Sequence, residues 1–251
     1  MISACSHQTL VQDTKQVDPI VVSPVVPVLD QWQVEASPSS DAEANADLWQ
    51  RIINAYGFNQ DIDNPRVQSQ LNYYKRHQSY MDRMATRAER YMYYIAEQVD
   101  VRGIPGELAL LPIVESAFDP FAYSHGRASG VWQFIPSTGR DFGLTQDWWY
   151  DGRRDISAST IAALTYLEAL QREFKGDWLL ALASYNTGAG NVRKAIRKNK
   201  RLGKPTDFWS LSLPRETREY VPKLIALAQL IKHPQKHGIT LKPLINEPYF
   251  A

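Results

Sequence analysis

The stretch "LPIVESAFDP", residues 111–120, places one carboxylate, Glu115, at the end of an apolar run and follows it with a serine and an Asp-Pro turn. On a helix through residues 106–116, Leu108, Leu111 and Glu115 share a face, because they stand three and then four positions apart. A carboxyl in an apolar wall has its charged form disfavoured, so its pKa rises and it can donate a proton near neutral pH. Pro112 removes a backbone donor from the same turn and bends it. The plainer reading is an acid at a helix C-terminus that swings into solvent, but the helix dipole disfavours acids there.

Glycosidases as a rule pair two carboxyls, one as acid and one as base or nucleophile. Asp119 is the nearest partner, yet it precedes Pro120, where an aspartate commonly organises a turn with its own backbone. Asp141, Asp147, Asp151 and Asp155 hold similar loop and helix-start positions. No second acid recommends itself.

Other groups suit a sugar. "SHGRASGVWQFIPSTG", residues 124–139, joins flexible glycines to Trp132 and Gln133, an aromatic face and an amide. "ASYNTGAGNV" brings Tyr185 and Asn186 to a helix end before Gly188 and Gly190, where the backbone needs freedom. Taken singly, Trp132 or Tyr185 is more often core packing than a sugar platform. The basic run "RKAIRKNKRLGK", 193–204, reads as a solvated helix end, with contact to acidic peptide stems as the alternative. The five histidines fit no metal spacing, His125 reads as a loop residue, and neither a metal nor a cofactor is expected.

Helices must position these groups. "DLWQRIINAYGF" reads as a short amphipathic helix stopped by Gly57, and Asn64 with Pro65 starts another that runs toward His77. A helix is expected over 79–100, with Tyr80, Met84, Tyr91, Tyr94, Ile95 and Val99 inward. Pro136 opens a short helix ended by Gly143, and Asp155 opens a long one with Ile161, Leu164, Leu167 and Leu170 as its stripe. Asp177 caps "DWLLALASYN", "NVRKAIRKNK" resumes after the glycines, and the last clear helix covers 215–232 with Pro222 inside. No alternating strand pattern precedes "GITLKPLI" at 238–245. The fold class is therefore mainly α, with at most a small β element near 119–135.

The 251 residues, 44% hydrophobic and 22% charged, are those of a globular chain. The net charge of +1 is unevenly divided: residues 1–50 hold seven acids and one base, leaving 27 bases and 20 acids beyond. A modestly cationic body suits an anionic polymer. The apolar stretch "IVVSPVVPVL" is broken by two prolines and too short to span a bilayer. The lone Cys5 excludes an intramolecular disulfide, but "ISAC" resembles the lipobox at which bacterial lipoproteins are cleaved and lipidated. A signal peptide would have to precede it, so Met1 is an artificial start or the match is accidental. Four segments are expected: a tether (1–45), a helical extension packed on the catalytic domain (46–104), the catalytic domain (105–232) and an extended tail or linker (233–251).

"ES" at 115–116, "SGVWQFIPST" at 129–138, "SYNTGAGNV" at 184–192 and "PRETREYVPKL" at 214–224 resemble, in order and spacing, the soluble-lytic-transglycosylase family. The second motif reads Trp-Gln-Phe rather than Met-Gln-Ile, which is similar to a membrane-bound branch. The resemblance implies a goose-lysozyme-like helical domain that cuts the β-1,4 bond between N-acetylmuramic acid and N-acetylglucosamine. In that family one glutamate protonates the glycosidic oxygen and then helps deprotonate the muramyl 6-hydroxyl, which closes on C1 to leave a 1,6-anhydro sugar. Carried over by position, Glu115 is that acid and base. Ser124, Gln133, Tyr185, Asn186 and Tyr220 line the cleft, Glu216 orients sugar or structure, and Trp132 joins the substrate contacts.

The resemblance also implies peptidoglycan glycan strands as partner, no nucleic acid, a monomer, and a periplasmic site anchored to the outer membrane through Cys5. Family members often continue into glycan-binding LysM repeats, and this chain stops at "NEPYFA". It is a truncated form or one without them. Two other readings stay open: a lysozyme-type hydrolase, with Asp119 the first acid to test, and a non-catalytic peptidoglycan-binding protein.

Overall fold

The computed structural model describes residues 47–59 and 62–250. Among them run ten α-helices: α1 (Leu48–Asn54), α2 (Pro65–Lys75), α3 (Gln78–Ala88), α4 (Met92–Arg102), α5 (Leu111–Ser116), α6 (Pro136–Asp141), α7 (Ile156–Glu173), α8 (Trp178–Thr187), α9 (Ala189–Arg201) and α10 (Arg215–Lys232). Short 3-10 turns occupy Gly106–Leu110, Phe208–Ser210 and Gln235–His237. No strand forms among the described residues. The β element near 119–135 reduces to two single bridges, Tyr123 with Ser129 and Ser129 with Phe134. The tether, with Cys5, lies outside the described residues.

Four helices begin where a short acid or amide can accept from the first free amides. Asp47 accepts from Trp49, Asn64 from Arg66, Asp155 from Ala158 and Asp177 from Leu180. Each such cap stabilises its helix by about 1 kcal/mol. α10 is the hub. Its second half is buried almost all round, from Leu224 to Ile231, as a helix must be when neighbours surround it. It packs against α1, α2, α5, α8 and the 3-10 turn at Gly106–Leu110, while α7 and α8 pack together beside it.

Three expectations are corrected. The helix over 79–100 is two, α3 and α4, separated at 89–91 without proline or glycine; Tyr80, Tyr91 and Tyr94 are only half-buried. Ile161 faces solvent, and Ala163 joins Leu164, Leu167 and Leu170 on the buried stripe of α7. Residues 106–116 are not one α-helix but a 3-10 turn followed by α5, so Pro112 sits in the first turn of α5, where its missing N–H leaves no bond unmade.

One buried acid explains how this segment is held. Glu107 is fully enclosed, and its two oxygens accept from the amides of Gly57 and Phe58, both at 2.9 Å. Gly106 adds a 2.8 Å bond to the carbonyl of Ala55. The end of α1 is thereby bolted to the stretch leading to Glu115. The chain after α10 is also docked: Ile239 and Leu244 are buried, and the indole of Trp49 donates to the Lys242 carbonyl at 2.9 Å.

Candidate active site

Glu115 stands in the last turn of α5, and the backbone turns sharply behind it. Ala117 and Phe118 both adopt left-handed conformations, at φ 50° and 58°. Such a conformation costs a non-glycine residue ~1–2 kcal/mol. Two anchors hold it: the Phe118 ring is wholly buried, and the Ser116 hydroxyl donates to the Val131 carbonyl at 3.0 Å. The serine of the "ES" pair therefore ties the acid's helix to the loop carrying Gln133.

That loop is shaped by Gly130, at φ 80°, where an added Cβ would lie 1.9 Å from the carbonyl oxygen of Arg153. No side chain fits there. Gln133 is itself left-handed at φ 50°, and its amide nitrogen donates to the carbonyls of Gly130 at 2.8 Å and Ala122 at 3.3 Å. Trp132 points the other way. Its indole is completely buried and donates to the Thr160 hydroxyl at 2.9 Å, so the expected sugar contact is corrected to a core residue. Burying an indole demands a partner for its N–H, and α7 supplies it. The Trp132 carbonyl still serves the site by accepting from the Tyr185 hydroxyl at 2.9 Å.

The walls enclose a cleft of ≈ 680 Å³. Glu115, Ser124, Gln133, Tyr185, Asn186, Glu216 and Tyr220 all line it, brought from α5, the 119–135 loop, α8 and α10. The Ser124 hydroxyl oxygen accepts from the Ala128 amide at 3.0 Å, and Asn186 donates to Glu216 at 3.3 Å. The lining also includes residues that the sequence does not mark as site residues, among them Thr138, Tyr166, Thr187, Lys223 and the loop residue His125. Lys223 had a signal, since it follows Tyr220 by three positions on one helix and so shares its face.

The Tyr220 hydroxyl donates to Glu115 Oε1 at 2.5 Å. Among the described residues the other oxygen, Oε2, has no partner. Desolvation pushes the Glu115 pKa up to about 7; the Tyr220 bond opposes the rise, the Glu216 charge adds to it, and Lys223 opposes it. Tyr220 and Tyr185 are raised well above the ordinary tyrosine value, chiefly by burial, and so stay neutral donors. The arrangement is a carboxyl poised between its two protonation states near pH 7, with one oxygen held and one free.

Asp119 is not part of it. Its carboxylate accepts from the Phe121 amide at 3.0 Å and pairs with Arg87 at 3.6 Å, the turn-organising role expected of an Asp before proline.

The family model described as Transglycosylase SLT domain matches residues 92–208. That span holds Glu115, Ser124, Gln133, Tyr185 and Asn186, whereas Glu216 and Tyr220 lie beyond it on α10. Membrane-bound lytic murein transglycosylase D of Escherichia coli (strain K12) is 54% identical over 179 residues, 71% of this chain and 40% of that protein. A protein of Alteromonas sp. (strain M-1) named for tributyltin chloride resistance is 39% identical over 167 residues, 66% of this chain and 79% of that protein. The crystal structure of the 70 kDa soluble lytic transglycosylase from Escherichia coli superposes with a TM-score of 0.41 at 18% identity, over 72% of this chain and 38% of that one. The chain thus spans 40% of the length of the transglycosylase D relative. With the family match reaching from α4 through α9 to Phe208, and 79% of the Alteromonas relative covered, the chain belongs to the transglycosylase SLT family.

Proposed function

We propose that this chain cleaves peptidoglycan as a lytic transglycosylase, breaking the β-1,4 bond between N-acetylmuramic acid and N-acetylglucosamine and leaving 1,6-anhydromuramyl ends. The single observation that carries this reading is Glu115 in the cleft, its pKa near 7, with Tyr220 on Oε1 and Oε2 free.

The chemistry that the family resemblance implies is supported by that geometry. Protonated Glu115 gives its proton to the glycosidic oxygen as the C1–O bond breaks, and the carboxylate left behind accepts a hydrogen bond from Tyr220. It then takes the proton of the muramyl 6-hydroxyl as that oxygen bonds to C1. One proton leaves and one returns, and no water is consumed. An internal hydroxyl held close to C1 needs no second protein carboxylate to activate a nucleophile. Glu216, bonded to Asn186, raises the pKa of Glu115, and Lys223 keeps the rise in check. Ser124, Gln133, Tyr185 and Asn186 hold the sugars.

On this reading residues 105–232 carry the chemistry, with residues 46–104 as the extension packed on them. The enzyme works as a monomer on glycan strands in the periplasm, and Cys5 is the lipid anchor to the outer membrane.

Digestion of purified sacculi in H₂¹⁸O tests the reaction. Anhydro-ended muropeptides without ¹⁸O are expected from the parent and none from Glu115→Gln. New reducing ends carrying ¹⁸O would make the protein a hydrolase and overturn the proposal.

A further inference from the structure

A second surface has a built geometry and no part in the proton chemistry. Between α6 and α7, residues 147–150 close a turn in which the Asp147 amide donates to the Tyr150 carbonyl at 2.9 Å. The Asp147 carboxylate accepts from the amides of Trp149 and Tyr150, both at 2.8 Å. The ordered turn holds Trp148 and Trp149 80% and 79% exposed, with ring centroids 3.6 Å apart and planes inclined at 37°. A buried tryptophan covers roughly 150–250 Å², so two indoles fixed in water on an ordered backbone mark a surface awaiting a partner. A shallow cavity of ≈ 470 Å³ lies beside them, lined also by Asp147, Asp151, Arg154 and Asp155.

The base of this turn is clamped to the cleft wall. Asp151 grips Arg153 through two bonds of 2.8 and 2.7 Å, and Arg153 donates to the carbonyls of Arg127 at 2.7 Å and Phe134 at 3.1 Å. Arg154 reaches the Ser129 hydroxyl at 3.1 Å. Phe134 lines the cleft, so the aromatic turn and the cleft share one wall.

We propose that Trp148 and Trp149 form an accessory glycan platform, taking an N-acetylhexosamine ring of the same strand beyond the sugars in the cleft. This rests on the functional reading above. The apolar face of a pyranose suits an exposed indole, and the surrounding carboxylates and guanidinium can accept from and donate to its hydroxyl and acetamido groups. A lipid surface fits less well. Asp147 and Asp155 form no ion pair among the described residues and would face anionic headgroups.

The test is binding of the inactive Glu115→Gln protein to purified sacculi, with and without Trp148→Ala/Trp149→Ala. The alanine pair is expected to bind about tenfold more weakly, equivalent to ~1.4 kcal/mol, and a Trp148→Phe/Trp149→Phe pair to recover most of the loss. With Glu115 intact, the alanine pair should keep its kcat on short strands and show a raised KM on sacculi. Equal binding by parent and alanine pair overturns the platform. So does tryptophan-dependent binding seen only with phosphatidylglycerol vesicles. Absence of anhydro products from the parent defeats the reaction instead, and leaves tryptophan-dependent retention on sacculi as a separate result.

Discussion

Glu107 and Glu115 sit eight residues apart on one stretch of chain, and the protein treats them oppositely. Glu107 is wholly buried, but each of its oxygens accepts a backbone amide, so its burial is compensated and its role is to hold α1 against the segment that leads to α5. Glu115 keeps a partial opening to the cleft, has one tyrosine on one oxygen, and is pushed up to about 7 by desolvation. The amount of burial does not distinguish a structural acid from the proposed proton carrier. The supply of donors does.

Substitutions can break this contrast, and the largest effect belongs to the cleft. Glu115→Gln removes the proposed proton carrier and should lower glycan cleavage at least 10²–10⁴-fold, the range for lost general acid–base catalysis, in the sacculus digestion described above. Its fold should be stabilised under one condition. A native pKa above the unfolded value of ~4.3 gives stability that is complete below pH ~4.3 and is lost as pH rises through about 7. Glu115→Gln should therefore match the parent near pH 4 and gain up to about 3–4 kcal/mol above pH 7 in denaturant titrations.

Glu107→Ala should act in the reverse sense. Two backbone amides lose the buried side-chain acceptor that ties α1 to this segment, and unfolding should become easier by about 1–3 kcal/mol, with cleavage per folded molecule nearly unchanged. Equal activity losses in the two variants would erase the distinction.

Smaller changes sharpen it. Tyr220→Phe removes the bond that holds the Glu115 pKa down, so the alkaline limb of the kcat/KM profile should move to higher pH, with a reduced maximum because the carboxylate loses its donor. Glu216→Gln removes a charge that raises the same pKa, so that limb should move to lower pH by less.

Much of this was legible in the chain because it is local. Asp47, Asn64, Asp155 and Asp177 cap helices at the positions their types suggest, and α10 covers the expected 215–232. Glu115 was legible as an acid beside apolar residues, although the single helix used to place it is a 3-10 turn joined to α5. What stayed hidden depends on distant partners. Trp132 finds Thr160 28 positions later, and Glu107 finds its amides about fifty positions earlier, with no pattern in either segment to announce the meeting. The break between α3 and α4 carries no helix-breaking residue, so packing rather than propensity sets it.

The most direct measurement is a carboxyl-detected ¹³C NMR titration of Glu115 in the parent protein, its signal assigned by comparison with Glu115→Gln. A midpoint near 7, moving upward in Tyr220→Phe, is expected. A midpoint in the ordinary carboxylate range near ~4.3, unmoved by the tyrosine, would contradict the desolvated proton carrier on which the proposed chemistry depends.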